Sequence, residues 1–172
     1  MTSNVPASDR ILGCLRSAEG RGIVRIEDRL RARVDDVWSA LTEPGRLADW
    51  LGEVEGDLRL GGEFRAHFFA SGWEGTGHIE VCEQPERLLV ATKHEGAAHE
   101  QVIEATLAAD GDGTILAWEE RGMPLEHLAA YGAGVQVHVE DLAAYLNGRE
   151  RSDAAARFDQ LFPAYQRLAV GS

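Results

Sequence analysis

Two carboxylates fall where the pattern of the chain calls for apolar side chains. Asp28 interrupts the series Val24, Ile26, Leu30, Ala32 and Val34, and Glu120 continues the series Leu116 and Trp118. A carboxyl group on an apolar face must be paired, hydrated or turned toward a cavity, and burial there raises its affinity for a proton. Asp28 and Glu120 are therefore the candidate acid and base groups, although no nucleophile, metal set or third member accompanies them. His67 and His78 have the outward parity of Arg65 and Glu80, His94 and His99 flank a loop, and His127 and His138 lie near the last long apolar stripe. None has a partner at metal-ligand spacing, so no metal and no cofactor is expected. Cys14 and Cys82 are too few for a disulfide framework and read as reduced thiols, with Cys82 packed inside. Gly61-Gly62 precedes no helix and no Lys-Ser/Thr, which excludes a phosphate loop.

The elements that must position these residues follow from periodicity. Residues 24 to 34 alternate apolar and charged, the signature of a strand with one wet face. Asp35 then opens a helix through Val37, Trp38 and Leu41, and Pro44 restarts a second one through Leu47 to Leu51. Strand-like segments follow at 53–60, 63–69, 73–82, 87–94, 100–109 and 113–121, with short turns between them that dictate an antiparallel meander. Gly75 and Gly77 lie inside one of these segments and mark a bulge or a close backbone approach. From Val135 the period becomes helical through Val139, Leu142 and Leu146 until Gly148.

Two flanking pieces complete the chain. Residues 1–21 read as an N-terminal arm with a short helical turn from Ser8 through Leu15, residues 22–149 as the domain, and residues 150–172 as a tail. Pro163 should split that tail into two short helical turns, whose Phe158 and Phe162 are candidates for contacts in a homodimer.

A strand, two short helices, six further strands and a long helix make an α+β domain. The segments Glu43-Pro44-Gly45-Arg46-Leu47-Ala48-Asp49-Trp50-Leu51 and Gly56-Asp57-Leu58-Arg59-Leu60-Gly61-Gly62-Glu63-Phe64-Arg65 carry a more specific message. With Gly77-His78-Ile79-Glu80-Val81, Gly113-Thr114 and Gly132-Ala133-Gly134 in the same order, the chain resembles the activator-of-Hsp90-ATPase-like branch of the START/birch-pollen-allergen-like (SRPBCC) superfamily. The resemblance spans about residues 22 to 148 and implies the helix-grip fold. In that fold a curved, seven-stranded antiparallel sheet wraps the long C-terminal helix, leaving a cavity between them.

Strand parity then assigns an inward set that includes Ala66, Ile79, Val81, Leu88, Val90, Ala105 and Leu107. Trp50, Phe64, Phe68, Trp73, Thr92, Ile103 and Trp118 are the candidate ligand-binding walls, with Glu120, Tyr131 and Gln136 as their polar members. Gly132-Ala133-Gly134 leaves space at one end of the cavity.

Charge narrows the partners. Seventeen Lys and Arg against 29 Asp and Glu give a net charge of −12, which disfavours nucleic acid and anionic membranes. No run is long enough to span a membrane and no leader is visible at the N-terminus, so a cytoplasmic location is expected. The resembled superfamily includes lipid carriers, polyketide cyclases, hormone receptors and chaperone cofactors, and some actinobacterial relatives bind natural products for self-protection. Three functions are consistent with this sequence. The first is non-catalytic binding or sequestration of a hydrophobic or aromatic small molecule such as a secondary metabolite. The second is a polyketide cyclase or hydrolase using the pocket carboxylates. The third is a co-chaperone-like interaction module, disfavoured because nothing in the chain marks a second module.

Overall fold

The computed structural model describes residues 10–172. The sheet begins with β1 (Gly13–Ala18) and β2 (Arg21–Leu30), and two helices follow, α1 (Val34–Thr42) and α2 (Pro44–Trp50). A meander then runs through β3 (Gly52–Gly56), β4 (Glu63–Phe68), β5 (Glu74–Glu83), β6 (Arg87–His94), β7 (Gln101–Asp110) and β8 (Gly113–Met123). After a single 3-10 turn, α3 (Leu128–Leu146), α4 (Ala154–Gln166) and β9 (Val170–Gly171) complete the chain.

These strands form one sheet of nine in the order β3-β4-β5-β6-β7-β8-β2-β1-β9, antiparallel throughout except for the β1/β9 pair. The seven expected strands are β2 to β8, and the two flanking pieces of the chain add the others. β1 replaces the helical turn expected through Leu15; Ser8 and Asp9 lie outside the described residues. The physical reason is the free edge of β2, a row of unpaired backbone groups that residues 13–18 satisfy while burying Leu15.

Two helix boundaries also differ from the periodic reading. β2 ends at Leu30, and α1 is capped by the backbone of Arg33 with Asp35 and Asp36 inside its first turn, where carboxylates favour the positive helix end. The long helix starts at Leu128 and passes through Gly132 and Gly134. Each glycine costs about 1 kcal/mol in a helix, but a Cβ on Gly132 would stand 2.5 Å from the Tyr165 ring, so close helix packing is what the residue permits. α4 is one helix rather than two turns: Asp153 caps it by accepting from the Ala156 N–H at 3.1 Å, and Pro163 falls near its end. Phe158 and Phe162 stack on each other at 5.3 Å and are partly buried against the core.

α3 lies across β2 and β1 and is itself covered by α4, so it is buried nearly all round, from Val135 through Val139 without a break. Trp50 ties the two short helices together, its indole N–H donating to the Ala40 carbonyl at 3.0 Å while the ring is 1% exposed. Among the described residues no helix is long and apolar enough to cross a membrane.

Candidate functional site

Between the inner face of the sheet and the helices lie two adjoining hollows. The inner one, about 80 Å³, is walled by apolar side chains, with α1 and α2 closing it through Leu41, Leu47 and Leu51. The outer one, about 500 Å³, lies between the sheet and the α3/α4 pair and carries most of the polar groups. Phe68, Thr92 and Ile103 belong to both walls, so an oily chamber and a mixed one adjoin across these three side chains. A further hollow of about 430 Å³ sits on the opposite face of the sheet among Glu63, Arg65, Lys93 and Glu100, where salt and water screen mixed charges.

Most of the residues singled out in the sequence meet in these chambers. Phe64 and Trp118 wall the inner chamber, and Trp73, Glu120 and Tyr131 wall the outer one. Trp73 stacks on Phe68 with ring centroids 4.9 Å apart, the offset arrangement that aromatic quadrupoles favour. Gly75 makes this possible, since a Cβ there would stand 2.6 Å from the Trp73 ring. A Cβ on Gly77 would likewise stand 2.4 Å from Phe64, so both glycines serve close approach.

Three candidates lie elsewhere. Trp50 is core between α1 and α2. Gln136 is fully buried on another face of α3, where its Oε1 accepts from the Leu12 N–H at 3.0 Å and from the Tyr165 hydroxyl at 2.6 Å. Its Nε2 donates to the Arg10 carbonyl at 2.7 Å, so Gln136 fastens the N-terminal segment instead of meeting a ligand. Asp28 is half-buried beneath that segment; burial holds its carboxyl above the usual range, opposed by the Arg29 N–H that donates to it at 2.9 Å. The register places Val24 opposite Glu120 and Asp28 opposite Leu116. Asp28 and Glu120 are thus four positions apart along neighbouring strands, about 13 Å, and cannot act on one atom.

One inward assignment also reverses. A β-bulge between Ile79 and Val81 inserts an extra residue opposite β6, so Ile79 pairs with Val90 but Val81 pairs with Leu89. Beyond the bulge the parity flips, and Cys82, paired with Leu88, packs against the core in place of Val81.

Glu120 is the chemically unusual member of the wall. It is partly accessible and lines the outer chamber. Burial pushes its carboxyl up to about 7, opposed by the Trp118 indole N–H, which donates to Oε1 at 3.2 Å. The sequence places His138 only near the last long apolar stripe. In the structure it stands in the outer wall, edge-on to Phe68 at 5.5 Å, and burial pushes its imidazole down to about 4. Its Nε2 has no hydrogen-bond partner among the described residues. Gln101, which the sequence reading did not single out, and Phe158, singled out there only as a candidate dimer contact, also line this chamber, and the Gln101 side-chain amide donates to the Tyr131 hydroxyl at 3.1 Å. Among the described residues no three His, Cys, Asp or Glu side chains stand together as metal ligands would.

A curved sheet closed over a cavity by a long C-terminal helix defines the helix-grip, SRPBCC-type class of proteins. The chain belongs to the family described as activator of Hsp90 ATPase homolog 1-like protein, which it matches over residues 31–147. Among solved structures it is similar to CalU16 from Micromonospora echinospora, with 30% identity and a TM-score of 0.75 over 91% of this chain and 94% of that one. It is also similar to DynU16, described as a protein in the dynemicin biosynthetic locus, with 30% identity and a TM-score of 0.69. That match covers 76% of this chain but 50% of DynU16, so the chain spans half the length of that relative. CV1439 from Chromobacterium violaceum, at 24% identity and a TM-score of 0.58 over 72% of this chain and 96% of that one, shares the fold. A comparison with curated proteins gives no match.

Proposed function

We propose that this protein is a cytoplasmic binding protein that encloses a hydrophobic or aromatic small molecule between sheet and α3, holding it without transforming it. The observation that carries the reading is the pair of adjoining chambers, whose apolar inner walls and aromatic outer walls have the composition of a small-molecule site. The similarity to DynU16, a protein of a natural-product locus, favours a secondary metabolite as the occupant and sequestration as the role.

The test is a thermal-shift screen against aromatic polyketides, flavonoids, sterols and fatty acids. A ligand at about 100 times its Kd stabilises the folded state by about 2.7 kcal/mol. A dose-dependent rise confined to one chemical class supports the reading. An unchanged midpoint with every class removes it.

One observation favours a second reading. Glu120, with its raised proton affinity inside an aromatic cavity, has the character of a general acid for a cyclase or hydrolase. On that reading Glu120→Gln abolishes turnover of a bound polyketide and leaves its affinity in place; equal loss of both points to a binding role alone.

A further inference from the structure

Glu120 is a carboxyl without a cation. On the outer face of the sheet its neighbour Glu119 pairs with Arg16, Arg25 and Arg121, and Glu104, opposite Glu119 on β7, pairs with Arg87 and Arg121. On the inner face Glu120 makes no ion pair among the described residues, and its proton affinity is set by burial and by the Trp118 N–H. The wall of the outer chamber holds a second carboxyl, on the exposed Asp159, but neither Lys nor Arg among the described residues. His138 supplies no positive charge, because burial keeps its imidazole neutral at physiological pH. His94 lies four residues along β6 from Val90, and the register runs from Val90 through Ile103 to Glu120. Its backbone is therefore about 13 Å along the strands from that of Glu120, and two strands across.

One atom of this carboxyl is left for a ligand. Oε1 accepts from Trp118, and Oε2 has no partner among the described residues. Of those residues only His138 has a side-chain polar atom both sealed and unpartnered, so Oε2 of Glu120 keeps accessible surface, and the side chain that carries it lines the outer chamber. Ile103 stands opposite Glu120 on β7, about 5 Å away, and the stacked rings of Phe68 and Trp73 continue the apolar wall. A neutral donor reaching Oε2 gains one ordinary hydrogen bond. An ammonium gains a charge-assisted one, and it meets a carboxyl that the fold has already desolvated, so only the ligand's head group sheds water. An anion meets carboxyl groups and no positive charge.

We propose that the outer chamber takes a hydrophobic molecule bearing a basic amine, with the ammonium on Oε2 of Glu120 and the apolar body against Ile103 and the Phe68–Trp73 stack, and that it rejects carboxylates and phosphates. This rests on the binding reading above and assigns its ligand a charge. A proton should move with the ligand. The ammonium pairs with the ionised carboxylate, whereas burial lets Glu120 hold its proton up to about 7. Amine affinity should therefore rise about tenfold between pH 6 and pH 8, while that of a neutral ligand stays level. The other titratable groups facing the chamber are His94, Tyr131, His138 and Asp159.

Isothermal titration calorimetry at pH 6, 7 and 8 would compare 2-naphthylmethylamine, 2-naphthylmethanol and 2-naphthoate with the wild-type protein, Glu120→Gln and Asp159→Asn. At pH 8 the wild type should bind the amine about tenfold more tightly than the alcohol, the gain of a charge-assisted bond over a neutral one, and the naphthoate most weakly. In Glu120→Gln both the amine preference and its rise with pH should vanish while the affinity for the alcohol stays the same; Asp159→Asn should keep both. Equal binding of amine and alcohol at pH 8, preferred binding of the naphthoate, or an amine preference that survives Glu120→Gln overturns the proposal and leaves the binding reading standing. An amine preference lost in Asp159→Asn instead has the same consequence. Failure of all three probes with the wild type overturns both.

Discussion

Trp118 and Glu120 stand two residues apart on one face of β8, and the indole N–H of Trp118 donates to Oε1 of Glu120 at 3.2 Å. The pair marks the border between the two chambers, since Trp118 walls the inner one and Glu120 the outer one. An i, i+2 relation on a strand puts both side chains on the same side, so this geometry follows directly from the pleat. The hydrogen bond orients the carboxyl, and desolvation outweighs it in setting where the proton is held.

Stability should therefore respond to pH through Glu120. Its carboxyl holds a proton up to about pH 7 when folded, against about 4.5 when unfolded. Folding takes up that proton between the two values, so the group's contribution is complete below about 4.5 and is lost as pH rises through about 7. The shift corresponds to about 3 kcal/mol at most. Glu120→Gln keeps the shape and never ionises, so urea unfolding should find the variant more stable than the wild type at pH 8, with the gap closing toward pH 4.5. Parallel stability profiles for the two proteins would contradict this. The other titratable groups facing the chamber are His94, Tyr131, His138 and Asp159.

His138 acts in the opposite sense. The unfolded imidazole takes a proton near 6.5, whereas burial delays protonation of the folded one to about 4. Its contribution is present above about 6.5 and is lost as pH falls through about 4. Between about 4.5 and 6.5 the two groups offset each other in the wild type. Glu120→Gln should then expose the acid limb, losing stability over that range where the wild type stays level. Unfolding curves at pH 4.5, 5.5 and 6.5 measure it directly, and a level profile for the variant would refute the pairing.

Gly134 offers a way to fill the cavity from the helix side. Nothing lies within 4 Å of the position its Cβ would take, and the residue lines the outer chamber. Gly134→Ala should raise stability by up to about 1 kcal/mol through helix propensity alone. Gly134→Phe should retain the fold and lose any ligand-induced rise in Tm. A variant that still responds to ligand in full would place the binding site elsewhere.

Gln136 should prove structural. Replacing it with Leu leaves the Tyr165 hydroxyl and the Leu12 N–H without an acceptor at a buried junction. The cost should be about 2–3 kcal/mol, read by thermal or urea unfolding. Ligand affinity should not change; a selective loss of affinity at unchanged stability would return Gln136 to the site.

Much of the architecture was legible because period-2 and helical patterns are local. β2, the meander from β3 to β8 and the helix ending near Leu146 all declare themselves in the spacing of apolar residues, and the ordered motifs between Glu43 and Gly134 identify the family. The aromatic walls at Phe64, Phe68, Trp73 and Trp118 were legible for the same reason: once a strand's inner face is known, alternate side chains must point there.

What only the tertiary structure decided depends on contacts distant in sequence. A single extra residue at the β5 bulge takes Val81 out of the inward set, and no local pattern announces it. α3 is buried nearly all round, so its apolar period cannot say which face meets the cavity; packing against α4 and the N-terminal segment turns Gln136 away and leaves His138 in the wall. The separation of Asp28 from Glu120 is a matter of strand register, set by pairing across about ninety residues of chain. Composition and spacing determined the container, while register and helix packing chose which polar groups line it.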